Sequence, residues 1–87
     1  MKIKYEFVKR EIAGETYLVP VGEGARVFHG MMALNEVGSS IWDLLGDAEN
    51  EEEIAKKLSE EYEATDEELL NDTKEFVEQL RKLGMIE

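Results

Sequence analysis

Leu34-Asn35-Glu36-Val37-Gly38-Ser39-Ser40-Ile41-Trp42-Asp43-Leu44-Leu45-Gly46 is the stretch in which the chain changes from one periodicity to another. Asn35 is a residue type that caps helices, because its side-chain oxygen accepts from an unpaired N–H of the first turn. Val37, Ile41, Leu44 and Leu45 then share one face at helical spacing, and Gly46-Asp47 ends the run.

Upstream of this stretch the pattern is that of strands. Ile3, Tyr5 and Phe7 alternate, and Val8, Arg10 and Ile12 continue on the shifted phase, which predicts a bulge. Ala13-Gly14-Glu15 reads as a hairpin connection into Thr16-Tyr17-Leu18-Val19, a run of β-formers that Pro20 closes. After a turn at Gly22-Glu23-Gly24, the segment Val27-Phe28-His29-Gly30-Met31-Met32 reads as a short third strand. Connections this short favour an antiparallel meander with the second strand central and the third at an edge.

Downstream the chain is helical. Asn50 and Glu53 approximate a capping box, with Ile54, Leu58 and Tyr62 following at i, i+4 and i+8. Thr65 and Glu68 complete a second box. It opens a long helix with Leu69, Thr73, Phe76, Leu80 and Leu83 on one stripe and Leu70 and Val77 beside it. Gly84 has the place of a helix-terminating glycine, after which Met85 and Ile86 are free to fold back. Strands followed by helices give an α+β domain: a three-stranded antiparallel meander, then three helices, in a winged-helix-like order. Residues 1–87 are read as a single domain that buries roughly 60–65% of its unfolded surface.

The formal net charge of −11 is unevenly placed. Residues 1–34 carry five basic and four acidic side chains, whereas residues 35–87 carry five basic and 17 acidic ones. A phosphate backbone or an anionic membrane is repelled by the second part, so neither nucleic acid nor membrane is an expected partner. There is no cysteine, no signal-peptide pattern and no apolar run of membrane-spanning length, which agrees with a cytoplasmic protein.

Few residues have the chemistry of a catalytic or metal site. His29 is the one histidine and there is no cysteine, so the clustered His and Cys ligands of a metal site are missing. Ser39-Ser40 lack a nucleophile elbow and a Ser-His-Asp set, and read as first-turn helix residues. Glu51-Glu52-Glu53 and Asp66-Glu67-Glu68 stand at helix starts, where carboxylates offset the positive end of the dipole; the spaced oxygen ligands of a calcium loop are missing. No catalytic residue, metal site or cofactor is expected, and the chain reads as a binding module rather than an enzyme. A winged-helix reading as a DNA binder conflicts with Asp66, Glu67, Glu68 and Asp72, which stand where a recognition helix presents Lys or Arg. An acyl-carrier reading lacks the Asp-Ser-Leu-like serine. An edge strand, in contrast, offers unpaired N–H and C=O groups to an extended peptide.

Several segments occur in a recognisable order. They are Ala13-Gly14-Glu15, Leu18-Val19-Pro20-Val21-Gly22, Leu34-Asn35-Glu36-Val37-Gly38 with Ile41-Trp42 and Leu44-Leu45, Glu53-Ile54-Ala55, Glu61-Tyr62, and Phe76-Val77 with Leu80 and Gly84-Met85-Ile86. In this the chain resembles the PqqD family, also called RiPP recognition elements, the small peptide chaperones of ribosomal peptide modification. The resemblance implies three antiparallel strands followed by three helices. It also implies binding of the leader segment of a precursor peptide, which adds as a strand to the third strand and sends side chains into a groove beside the third helix. The implied partners are that leader peptide and a modifying enzyme, often a radical S-adenosylmethionine enzyme. Mapped onto this sequence, the binding residues are Val27, Phe28, His29, Gly30, Met31 and Met32 on the strand, with Leu69, Leu70, Thr73, Lys74 and Val77 on the helix. Asp66, Glu67 and Asp72 are placed to attract basic leader residues or simply to serve the helix dipole. The alternative is a winged-helix-like protein-interaction or regulatory domain without a precursor peptide.

Overall fold

The computed structural model describes residues 1–87. Two strands, β1 (Phe7–Ile12) and β2 (Glu15–Pro20), form a hairpin in unbroken antiparallel register from Ile12 opposite Glu15 to Phe7 opposite Pro20. The two loop residues, Ala13 and Gly14, both have positive φ (53° and 82°), the backbone handedness that matches a tight hairpin to the twist of its strands. No bulge interrupts β1. The two alternation phases belong to different pieces of chain, because residues before Phe7 leave the hairpin and Ile3 instead bridges Ile86 near the C-terminus.

The third strand is shorter and later than its hydrophobic run suggested. Gly24–Val27 forms one helical turn, α1, closed by the Phe28 N–H donating to the Gly24 carbonyl at 2.9 Å. Gly30, at φ +154°, then redirects the chain, and β3 spans only Met32–Leu34. It pairs with β2, Met32 opposite Leu18 and Leu34 opposite Thr16, and completes a sheet of order β1-β2-β3. Of the segment expected as strand, Val27 is therefore helical, Phe28 to Met31 are irregular, and Met32 alone is in the ladder. Apolar composition could not distinguish these states. The difference lies in Phe28, whose ring packs on Tyr5 and Phe7, each at a 5.4 Å centroid distance, and so is drawn out of line with a strand.

Three longer helices cover the face of the sheet that carries Leu18, Met32 and Leu34. They are α2 (Glu36–Leu45), α3 (Glu51–Leu58) and α4 (Asp66–Lys82). Each begins at the expected cap: Asn35 accepts from the Gly38 N–H, Asn50 from the Glu53 N–H, and Thr65 from the Glu68 N–H. Ile41 and Leu45, Ile54 and Leu58, and Leu69, Val77 and Leu80 meet Leu18 in one core. α3 stops at Leu58, before Tyr62. The Tyr62 hydroxyl instead lies 2.8 Å from Ser40 Oγ and donates to the Glu36 carbonyl, tying the α3–α4 connection to α2. Trp42 stacks edge-on against Phe7, and Lys9 reaches across to Ser39 and Asp43 at 2.7 and 2.8 Å, so α2 is held to the hairpin by both kinds of contact.

The end of α4 is a complete Schellman motif: the Met85 N–H donates to the Leu80 carbonyl and the Gly84 N–H to the Arg81 carbonyl. Gly84, at φ +80°, makes the turn, and Met85 and Ile86 return into the core. The Lys4 N–H donates to the Met85 carbonyl and the Glu87 N–H to the Lys2 carbonyl, fastening the two ends of the chain to each other. Gly84→Ala forces a side chain into the left-handed region, with an expected loss of about 1–2 kcal/mol in urea unfolding. An unchanged midpoint would mean that this turn is not held in the folded protein.

Candidate functional site

β3 is bonded on one side only. Its outer edge faces no strand, and no backbone hydrogen bond outside the helices and the sheet ladder involves residues 29–34. α4 packs chiefly on α3 and on α2, and α2 in turn contacts β3. Two depressions lie near the two ends of β3. One, of about 170 Å³, lies at the start of β3 and is lined by Phe7, Phe28, Met31, Met32, Leu83 and Met85 among others. The second, of about 260 Å³, lies between the start of α2 and the middle of α4, where Asn35, Val37 and Gly38 face Asp72, Phe76 and Gln79. β3 runs from the first depression towards the second and α4 runs the other way, so an extended peptide laid along the open edge would pass both, along one candidate groove.

The face that α4 turns to this groove follows from which face it buries. Leu69, Thr73, Val77 and Leu80 are all at most 1% exposed, so this stripe is committed to the core. Thr73 meets the demand of a buried hydroxyl by donating to the Leu69 carbonyl at 2.7 Å. Each residue turns the helix by about 100°. That rotation puts Asp72, Phe76, Gln79 and Leu83 on one flank of the core stripe, the first three facing the start of α2 and Leu83 the start of β3, and Leu70 and Lys74 on the other. Leu70 lies over Glu52, Ala55, Lys56 and Ser59, at the contact with α3. Phe76 is half-buried against the main chain of Gly38, where an added Cβ would come within 3.4 Å of the ring; Leu83 is 51% exposed.

Of the residues mapped from the sequence, Phe28, His29, Gly30, Met31 and Met32 line the apolar end of the groove. Val27 does not; it ends the one-turn helix, exposed. On the helix side the mapped residues are placed differently. Leu69, Thr73 and Val77 have no surface to offer, and Leu70 and Lys74 point away from the open edge. The groove side of α4 is instead Asp72, Phe76, Gln79 and Leu83. Phe76 and Leu83 stand at the margin of the apolar stripe read from the sequence, where helical spacing alone does not separate buried from half-exposed positions. Met31, 54% exposed beside Leu83, has the same character: a large apolar side chain left uncovered next to a cleft.

Two larger and more polar depressions lie elsewhere, one of them about 850 Å³ between the hairpin loop, the end of β3 and the start of α2, lined by Glu15, Glu36, Glu61 and Tyr62 among others. His29 is exposed, Ser39 and Ser40 are engaged with Lys9 and Tyr62, and the broad cleft between α3 and α4 is lined almost wholly by charged side chains. No three His, Cys, Asp or Glu side chains converge as a metal site would require. No helix is long and apolar enough to cross a membrane.

Sheet, helices and open edge together define a small α+β recognition domain with a one-sided groove. A family model described as coenzyme PQQ synthesis protein D (PqqD) matches residues 15–86, and the chain belongs to the PqqD family. Among solved structures, it is similar to TbiB1 in complex with the TbiA(beta) leader peptide, at 29% identity and a TM-score of 0.73, over 100% of this chain and 95% of that one. No curated protein sequence matches it.

The exposed groove residues contribute little to folding. Met31→Ser and Leu83→Ser are expected to change stability by less than about 0.5 kcal/mol, whereas Leu80→Ala, one turn away, should cost about 2–5 kcal/mol. Urea unfolding of the three variants separates the two faces of α4; comparable losses at Leu83 and Leu80 would contradict the groove.

Proposed function

We propose that this protein binds the leader segment of a ribosomally made precursor peptide by adding it as a strand to β3, and presents that peptide to a modifying enzyme. The observation that carries this reading is the unpaired edge of β3 facing an apolar cleft. Main-chain groups there supply hydrogen bonds whatever the peptide sequence, and the cleft admits alternate side chains that confer specificity. The similarity to a chain solved with a leader peptide on it supports the same conclusion. The alternative of a DNA-reading winged helix is disfavoured by α4, whose first turn presents Asp66, Glu67 and Glu68.

The role is one of proximity. Holding a leader and an enzyme together turns the encounter of the core peptide with the active site into an intramolecular event. Ordering a flexible leader costs free energy, which limits affinity per unit of buried area. This chain contributes the docking edge, and the chemistry belongs to the enzyme it serves, a radical S-adenosylmethionine enzyme being the type the family resemblance suggests.

The test is an amide-shift titration with the leader of the precursor peptide encoded beside the gene. Saturable shifts should cluster on residues 31–34 and on Asp72, Phe76, Gln79 and Leu83. N-methylation of alternate leader residues then examines strand addition without altering the protein. Methyl groups on the phase that bonds to β3 should weaken binding about tenfold or more, and those on the other phase much less. Equal tolerance of both phases, or no saturable shift from a folded sample, would overturn the reading.

A further inference from the structure

The groove is not uniform along its length. Its end near the start of β3 is lined by Phe28, Met31, Met32, Leu83 and Met85, with His29 its one titratable side chain and no Asp, Glu, Lys or Arg. The opposite end, past Asn35, is flanked by Asp72 and Glu75 with no basic residue among its lining groups. Both carboxylates are exposed, and neither is in an ion pair. A peptide laid along β3 would thus meet an apolar socket at one end and two carboxylates without ion-pair partners at the other.

We infer that the groove selects a leader segment with a basic side chain on the N-terminal side of an apolar anchor, about four to five residues apart. The inference rests on strand addition at β3 and adds the class and direction of the ligand. Direction follows from the sheet. β1, β2 and β3 are all antiparallel, and a further antiparallel strand is the slightly more stable addition. A peptide antiparallel to β3 enters at the Asp72 and Glu75 end and leaves at the Leu83 and Met85 end. Spacing follows from the helix. Leu83 lies eight residues beyond Glu75 and eleven beyond Asp72, about 12–16 Å along α4, a length that an extended chain covers in about four to five residues.

The formal net charge of −11 attracts any basic peptide, so the test must separate the groove from the whole surface. Two synthetic twelve-residue peptides with blocked ends serve as probes. One carries a Lys pair four residues before a Leu-Val-Leu segment, and the other is the same sequence reversed. Their charge and composition are identical. The forward peptide is expected to bind about fivefold more tightly in calorimetric titration at low salt, the size of effect that two exposed ion pairs give. Asp72→Asn with Glu75→Gln should remove that difference by weakening the forward peptide, and should leave the melting temperature of these exposed positions nearly unchanged. Equal affinities, tighter binding of the reversed peptide, or an indifferent double variant would each overturn the inference. If both peptides shift the amides of residues 31–34 with equal affinity, strand addition survives and the proposed polarity falls. If neither peptide nor the natural leader shifts them, both fall.

Discussion

The core can be closed only once, and α4 closes it. A three-stranded sheet with strands of three to six residues has one face to bury, and Leu18 at its centre is covered only when Leu69, Thr73, Val77 and Leu80 converge there with α2 and α3. That commitment sets the rotation of α4 about its axis. With the core stripe fixed, Phe76 faces the start of α2 and Leu83 the start of β3, while Leu70 lies on the α3 side. The groove is therefore a consequence of core packing rather than a separate structure added to it.

The apolar end of the groove is assembled from distant parts of the chain. Gly24–Val27 and Gly30 shape the connection that places Phe28 against Tyr5 and Phe7 and leaves Met31 outside. The Schellman turn at Gly84 places Leu83 at the cleft mouth while taking Met85 below it. Backbone bonds of Lys4 and Glu87 then fasten the terminal segments together behind it. Shortness of β3 has the same origin: chain spent on the turn and the aromatic contact is not available for the ladder. A short open edge also presents little surface for unwanted pairing, which limits the hazard that such an edge brings.

Charge works at two ranges. Over the whole molecule the excess of carboxylates raises the local concentration of basic partners and opposes self-association. Locally, the acid runs Glu51-Glu52-Glu53 and Asp66-Glu67-Glu68 stand in the first turns of α3 and α4, where they complement the helix dipole. Asp72 and Glu75 are different: they are past the first turn of α4, unpaired, and beside the cleft. Position, not the number of acids, separates the carboxylates that complement a helix dipole from the two on which the proposed ligand selection rests.

Much of this was legible in the residues. Asn35, Asn50 and Thr65 start helices and Gly84 ends one through interactions reaching only a few residues along the chain, so local sequence was sufficient for them. The Ala13-Gly14 hairpin, the α+β class and the family resemblance were legible for the same reason. The third strand and the helix side of the groove were not. Whether the run from Val27 to Met32 becomes turn, loop or strand is settled by the aromatic contacts of Phe28 with residues some twenty positions away, and the flank of α4 that faces α2 and the start of β3 is settled by how three helices share one core. Periodicity alone reports that a helix has an apolar stripe; only packing against the rest of the chain decides what stands on either side of it.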